Sequence, residues 1–555
     1  MDFAPARPIT TTPSPASSRT FDPFQDTFKD TDFKTPMIRH ILTVSAGTLI
    51  SRVLGFLRDT LIAALLGAGP VADAFLVALQ FINVARRALS EGSLNAALVP
   101  GYLRLRDNEG VIAATAFAGE VMGSLCLILI GIAVVFTGVM PLVIAVMAPG
   151  FVGHDTMQLA VTDARLMMPY FAFVGPTTVM MGVLNAERRF LLTAFSPVLF
   201  NLMMIAVILT LLVWRHDPQA SATIIAGAVG VAGCFQMAVL IQRRPWRAGL
   251  ATPLRISFSP RIRAFFRKAV PGMIANSGPQ FLIVAGAIIA SGAPAAVSWL
   301  YFANRLIELP LGMVGVAMGT VLMPEFTHAI QNDDRAALTH AQSRGVELAL
   351  GLVLPATLGL MLLSQPIVGI LFQHGAFTAT DTAATAEALS VLALGLPAYV
   401  LVKVLAPAFF AREDTRTPLL ATLAGIALAV SVGLLVSHTF GVAGIAASIS
   451  LGAWGCAALL LWRGATSFGF SIDAAARRRL PRIALCAAIM GATLFTSQYF
   501  VAPVMETAPF FTRLTILGGM VAAGISFYGL LLDLFNVVSW GEAFGDLREN
   551  GTRGK

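Results

Sequence analysis

The chain has 555 residues, 56% of them hydrophobic and 12% charged, with a net charge of +8 and a mean hydropathy of +0.77. A soluble domain carries about 25% charged residues, so this is a polytopic membrane protein, and its apolar runs leave no room for a soluble catalytic domain. The surplus of Lys and Arg does not point to nucleic acid, because those residues cluster in short loops between apolar runs, where they set orientation in the bilayer.

Residues 1–36 are rich in Thr, Pro, Ser and Asp and lack the apolar core of a signal peptide, which predicts a disordered cytosolic tail. Each crossing needs about 20 apolar residues, and the rest of the chain divides into about fourteen spans. Span 1 runs from about Ile41 to Leu66 and span 2 from about Asp73 to Tyr102. Span 3 ends near Ala148, and span 4 runs from about Met157 to the loop NAERRF with Arg188 and Arg189. Spans 5 and 6 flank WRHDPQ. Together, residues 37–245 form a predicted N-lobe, followed by a basic cytosolic linker over 246–268. Spans 7–12 form a predicted C-lobe over 269–464, with spans 11 and 12 meeting at SHTFG. Residues 465–536 hold spans 13 and 14, and 537–555 form a cytosolic tail. Every second connection is basic, which places both termini in the cytoplasm by the positive-inside rule.

The chain also repeats itself. APGFVGHDT around Gly150 resembles FQHGAFTATDT around Gly375, and NAERRF with Ala186 matches FAREDT with Ala411. A third match pairs NAALVPGY at Pro100 with GTVLMPEF at Pro324. Offsets of about 225 residues hold six spans, so the halves share one orientation, as parallel repeats do, and their interface is the expected transport path.

Within Ser51 to Pro100 the charges lie inside the apolar runs. A centred Arg or Asp costs about 2.5–3.5 kcal/mol on insertion scales, so such residues are expected to face an internal water-filled cavity. Arg52 and Arg58 stand about 120° apart on a helix. They fit a broad cavity better than one seam, and snorkelling to an interface suits Arg58 poorly because LIAALLGAG still follows it. Asp59 partly neutralises Arg58, and Asp73 is placed to cap the N-terminus of its own helix. Arg86 and Arg87 diverge by about 100°; Arg86 is assigned to the cavity and Arg87 to a neighbouring helix. In span 8, Arg305 and Glu308 form an i, i+3 pair beside Asn304, with a structural ion pair as the bland reading. Gly312, Gly315 and Gly319 are read as helix packing, and Lys403 as a lone buried cation.

The buried charge is cationic, and arginine forks suit phosphate or pyrophosphate. No GxxxxGK[ST] phosphate loop, GxSxG or HExxH occurs. No cofactor or metal is therefore expected, and the energy source is an ion gradient, the membrane potential or downhill flow. Cys126, Cys234, Cys456 and Cys486 sit within apolar runs without CxxC spacing, which indicates neither a disulfide framework nor a metal knuckle.

The stretches SRVLGFLRD at 51–59, GAGPVADAFLVALQFINVARRALSEGSLNAALVP at 67–100, YFANRLIELPLGMVGVAMGTVLMPEF at 301–326 and VKVLAPAFFAREDTRTP at 402–418 resemble the MurJ (MviN) family of lipid II flippases. The resemblance covers about residues 38–535 and implies two six-helix lobes around a central cavity, alternating access, and two extra C-terminal helices whose groove holds the lipid tail. It places the family's cavity arginines on Arg52, Arg58, Arg86 and Arg305, with Asp59, Asp73 and Glu308 as other charged positions; Asn83, Arg87, Asn304 and Lys403 are further cavity or gate candidates. Glu91 and Arg412 are assigned to a cytosolic gate. Gln80, Ile82 and Asn304 depart from the family pattern. The expected partners are lipid II and membrane lipids, without nucleic acid, for a monomer in the bacterial inner membrane. An ion-coupled antiporter, or a flippase for another polyprenyl-linked saccharide of the same superfamily, is the alternative; a membrane scaffold and a membrane-embedded transferase are weaker readings.

Overall fold

The computed structural model describes residues 34–90, 93–214, 216–241, 255–257, 259–276, 278–317, 335–410, 412 and 414–537. Among them every regular element is a helix. The N-lobe holds α1 (Lys34–Leu66), α2 (Pro70–Ser90), α3 (Ser93–Glu109), α4 (Val111–Met147), α5 (Asp155–Met167), α6 (Tyr170–Ala186), α7 (Phe190–Trp214) and α8 (Pro218–Ile241). The C-lobe holds α9 (Pro260–Asn276), α10 (Gly278–Ala290), α11 (Ala296–Ala317), α12 (Arg335–Leu362), α13 (Ser364–Phe372), α14 (Ala379–Ala393), α15 (Leu396–Phe410) and α16 (Arg416–Phe468). The chain ends in α17 (Ala474–Thr507) and α18 (Phe510–Leu534).

Seven of the described helices are long and apolar enough to cross a bilayer, and two bent pairs raise the number to nine. The expectation of about fourteen spans is not reached by length and apolarity alone, because helices such as α2 carry Asp73, Arg86 and Arg87 within 21 residues. Two element boundaries differ from the sequence reading. The run from Asp73 to Tyr102 is two helices, α2 and α3, and the basic linker turns helical at Pro260. At 53 residues, α16 would be about 80 Å long, far more than the roughly 30 Å of hydrocarbon. It breaks at Gly441, whose φ of 54° and ψ of −133° fold the chain back within two residues of SHTF.

The duplication is visible in the packing. α5 and α6 bend by 42° at their junction, and α14 and α15, at equivalent places in the second lobe, bend by 43°. α1 packs on α7 and α2 on α5, while α10 packs on α16 and α11 on α14 in the same pattern. The match of Pro100 with Pro324 and the residues Ala411 and Gly319 lie outside the described residues.

α17 and α18 bury a core of their own, with Cys486, Met490, Leu494, Leu517 and Leu531 against Leu354 and Leu358 of α12. The Tyr528 hydroxyl donates to the Gly351 carbonyl at 2.8 Å. Their other faces expose Phe495, Phe500, Phe511 and Ile525, which suits a lipid-facing surface because hydrocarbon leaves no reason to hide them.

Candidate functional site

One cavity of about 200 Å³ lies between the lobes, lined from α1, α2, α7, α10, α11, α14 and α16. Arg52, Arg58, Arg86, Arg87 and Arg305 reach it, together with Gln80, Asn83, Asn304 and Glu308. Asp59 lies directly behind Arg58. Five guanidinium groups against two carboxylates leave three positive charges in excess in a half-buried space.

Arg58 is fixed on three sides. Its Nη2 donates to Asp59 Oδ1 at 2.6 Å, its Nη1 to Asn201 Oδ1 at 3.1 Å, and its guanidinium carbon stands 5.7 Å from the Phe200 ring centre. Asn201 in turn donates to the Ser51 carbonyl at 3.0 Å, which ties α7 to α1. Asp59, fully buried, also contacts Arg305 Nε from the opposite lobe. Arg305 Nη1 bonds Glu308 Oε2 at 2.6 Å, so the i, i+3 pair forms. The other oxygen of Glu308 accepts from Arg87 Nη2 at 3.0 Å. The lobes are thus stitched inside the cavity by two Arg–carboxylate pairs, Arg305 with Asp59 and Arg87 with Glu308.

Arg86 donates to Asn83 Oδ1 at 3.3 Å and lies 5.9 Å from the Phe200 centre, within cation–π range. The assignment of only one of Arg86 and Arg87 to the cavity is corrected: both line it. The space is wide enough to accept side chains about 100° apart, and Arg87 crosses it to Glu308.

Arg52 is exposed to the cavity and its guanidinium lies against Gly312 of α11, where a Cβ would overlap Nη1. Gly312 therefore gives the arginine its place, beyond helix packing. Asp73 does not cap its own helix. Its carboxylate accepts from the Ala295 N–H at 2.7 Å, the Ser298 N–H at 2.8 Å and the Ser298 hydroxyl at 2.5 Å. These are orphan groups at the N-terminus of α11, so Asp73 caps the helix of the opposite lobe. Lys403 is not a buried cation. It is exposed, outside the cavity lining, with its Nζ about 3.7 Å from where a Gly315 Cβ would stand. Arg412 stacks on Phe468 at 4.0 Å and donates to the Ala408 carbonyl at 2.7 Å; Glu91, its assigned gate partner, lies outside the described residues.

Two equivalent loops close the end of the bundle where α1 turns into α2. The Gly150 N–H donates to Ser291 Oγ at 3.0 Å, and the bare Cα of Gly150 sits against the Ser291 carbonyl. In the other direction, the Ala376 N–H donates to the Ala64 carbonyl at 2.8 Å. Gly375, at φ +60°, leaves no room for a Cβ beside that carbonyl. Each loop glycine thus docks on the end of the other lobe's first crossing.

Phe200, Asn201 and Tyr301 line the cavity without having been singled out in the sequence. Asn201, a lone amide in the run FSPVLFNLMMIAVILT, is the one with a readable signal.

The family profile described as "Lipid II flippase MurJ" matches residues 62–528. The "Probable lipid II flippase MurJ" of Rhizobium meliloti is 35% identical over 89% of this chain and 92% of its own length. The "Lipid II flippase MurJ" of Burkholderia cenocepacia is 33% identical over 75% and 81%. Among solved structures, "Lipid II flippase MurJ, inward closed conformation" superposes with a TM-score of 0.73 at 22% identity, over 89% of this chain and 98% of that one. A multidrug resistance MATE family transporter in its inward-facing conformation superposes at 0.62 and 15% identity, over 80% and 98%; both likenesses are of fold.

Proposed function

The chain belongs to the lipid II flippase MurJ family, and from that membership we propose that it carries lipid II from the cytoplasmic to the periplasmic leaflet of the bacterial inner membrane. The observation that carries this reading is the arginine-lined cavity shared by both lobes. A pyrophosphate is an acceptor for several guanidinium forks at once, and such charge-assisted bonds are about twice as strong as neutral ones.

The substrate's charge competes with the acids already present. Pyrophosphate oxygens that engage Arg305 and Arg87 draw them from Asp59 and Glu308, the two pairs that stitch the lobes. Binding and lobe movement are coupled in this way, because a ligand shifts an equilibrium only by its differential contacts with the two states. The cavity of about 200 Å³ is below the roughly 300–1,000 Å³ of sites that enclose a drug-sized ligand. The sugar-peptide head therefore enters only after the lobes part on the cytoplasmic side. The loop-closed end is the periplasmic one in this reading, with both termini cytoplasmic. The lipid tail stays in the bilayer beside α17 and α18, the membrane potential or an ion gradient resets the cycle, and one chain suffices because the cavity is complete within it.

The test is complementation of a strain depleted of its flippase. Arg58→Ala, Arg305→Ala and Arg52→Ala are expected to abolish growth at unchanged protein abundance. Arg52 is decisive, because it has no carboxylate partner among the described residues and its loss should not unfold the protein. Normal growth of Arg52→Ala together with a lowered melt for the other two would turn the arginines into helix joints and sink the reading.

A further inference from the structure

Gln80 lies in α2 on the cavity wall, nine-tenths buried, and its Nε2 has no hydrogen-bond partner. A buried donor without an acceptor costs about 1–3 kcal/mol, a cost that neighbouring apolar positions of α2 avoid. The terminal torsion of a glutamine is soft and roughly two-fold, so the amide can turn to meet a partner in the cavity without moving the helix. Asn83, one turn along, shares that face of α2, and Asn304 faces the same space from α11.

The arginines and the amides differ in what they can read. A phosphate oxygen only accepts, and five guanidinium groups already compete to donate to it. A carboxamide both donates and accepts, which matches a hydroxyl or an amide group rather than a phosphate. Gln80 precedes Arg86 by six residues, about 9 Å along the helix axis, on the side of the loop-closed end. A ligand whose anionic part is held at Arg86 brings an adjoining uncharged part within reach of Gln80 on the same cavity wall.

We propose that Gln80 is a specificity-determining residue of this cavity, which hydrogen-bonds an uncharged hydroxyl or amide group of the sugar-peptide head while the arginines hold the pyrophosphate. The inference rests on the flippase reading and deepens it. Occupation of the site satisfies the orphaned donor, so stability withheld from the empty protein is returned on binding.

The experiment compares two lipids, lipid II and the same polyprenyl pyrophosphate without its sugar-peptide head, on purified full-length protein by native mass spectrometry. Gln80→Met and Gln80→Leu, two apolar shapes of similar size, are expected to bind lipid II about tenfold more weakly than wild type. They should bind the headless lipid equally well, and their ligand-free melting temperature should be unchanged or higher. Equal binding of lipid II by wild type and both variants overturns the proposal. So does an equal loss for both lipids, which would put Gln80 on the pyrophosphate, and so does a lowered ligand-free melt, which would make it a structural residue. If wild type binds neither lipid, it is the flippase reading that falls, and this one with it.

Discussion

Asp73 and Ser298 stand 225 residues apart at equivalent points of the two lobes, and the carboxylate of the first accepts both the backbone N–H and the hydroxyl of the second. One acid thus fastens the N-terminus of α11 to the start of α2. Hydrogen bonds to a charged acceptor contribute about 1.5–3 kcal/mol each. Asp73→Ala is therefore expected to favour opening of this end by at least tenfold. Spin labels on the exposed Val152 and Gln373 should report a longer distance in the variant; an unchanged distance distribution would show that the loops alone close the end.

Gly375→Ala adds two penalties at one place. At φ +60° an L-residue costs about 1–2 kcal/mol, and the new methyl meets the Ala64 carbonyl. Gly150→Ala adds only the second, against Ser291. Both variants should melt earlier than wild type, Gly375→Ala by the larger margin. The order of the two melting temperatures checks the geometry.

Gly312→Ala occupies the space that Arg52 uses. The side chain can swing aside cheaply, so the fold is expected to survive while headgroup binding falls to the level of Arg52→Ala. In the double variant the two losses should not add, because they remove one interaction. Full additivity in a binding titration would place Arg52 elsewhere when ligand is bound.

Much of this site was legible because charge inside an apolar run has few explanations. Arg58, Arg305 and Glu308 announced themselves in that way, and the i, i+3 spacing announced the pair. The partnership of Arg305 with Asp59 was not legible, since it joins α11 to α1 across 246 residues and no local spacing encodes it. The role of Asp73 is hidden for a related reason. Its position in the first turn of α2 satisfies the local rule for a cap, and only the tertiary fold shows that its carboxylate serves another helix. Lys403 differs: a cation in an apolar stretch suggests an interior position, whereas the residue lies on an exposed face. The break in α16 was legible at SHTFG, because a 53-residue helix cannot be one crossing.

Asp473 caps α17 by accepting from the Ala476 N–H at 2.7 Å, with the His340 ring 3.2 Å away. The Ala476 N–H, partly offset by burial and reinforced by His340, holds this carboxyl below its ordinary value. A carboxyl depressed in the folded state adds stability that is complete above its unfolded pKa, about 3.9, and fades as pH falls through the folded value. Asp473→Ala should cost about 1 kcal/mol at neutral pH, the usual worth of a cap. The gap between the wild-type and variant melts should close below about pH 4; a gap independent of pH would mean the loss is one of packing.

The paired loops at Gly150 and Gly375 have one more consequence. Each is held by the other half of the molecule, so parting of the lobes at this end must break both contacts. A half-released loop would strand the Gly150 or Ala376 N–H without its partner. Bolted from both sides, this end of the cavity stays shut until the two lobes part.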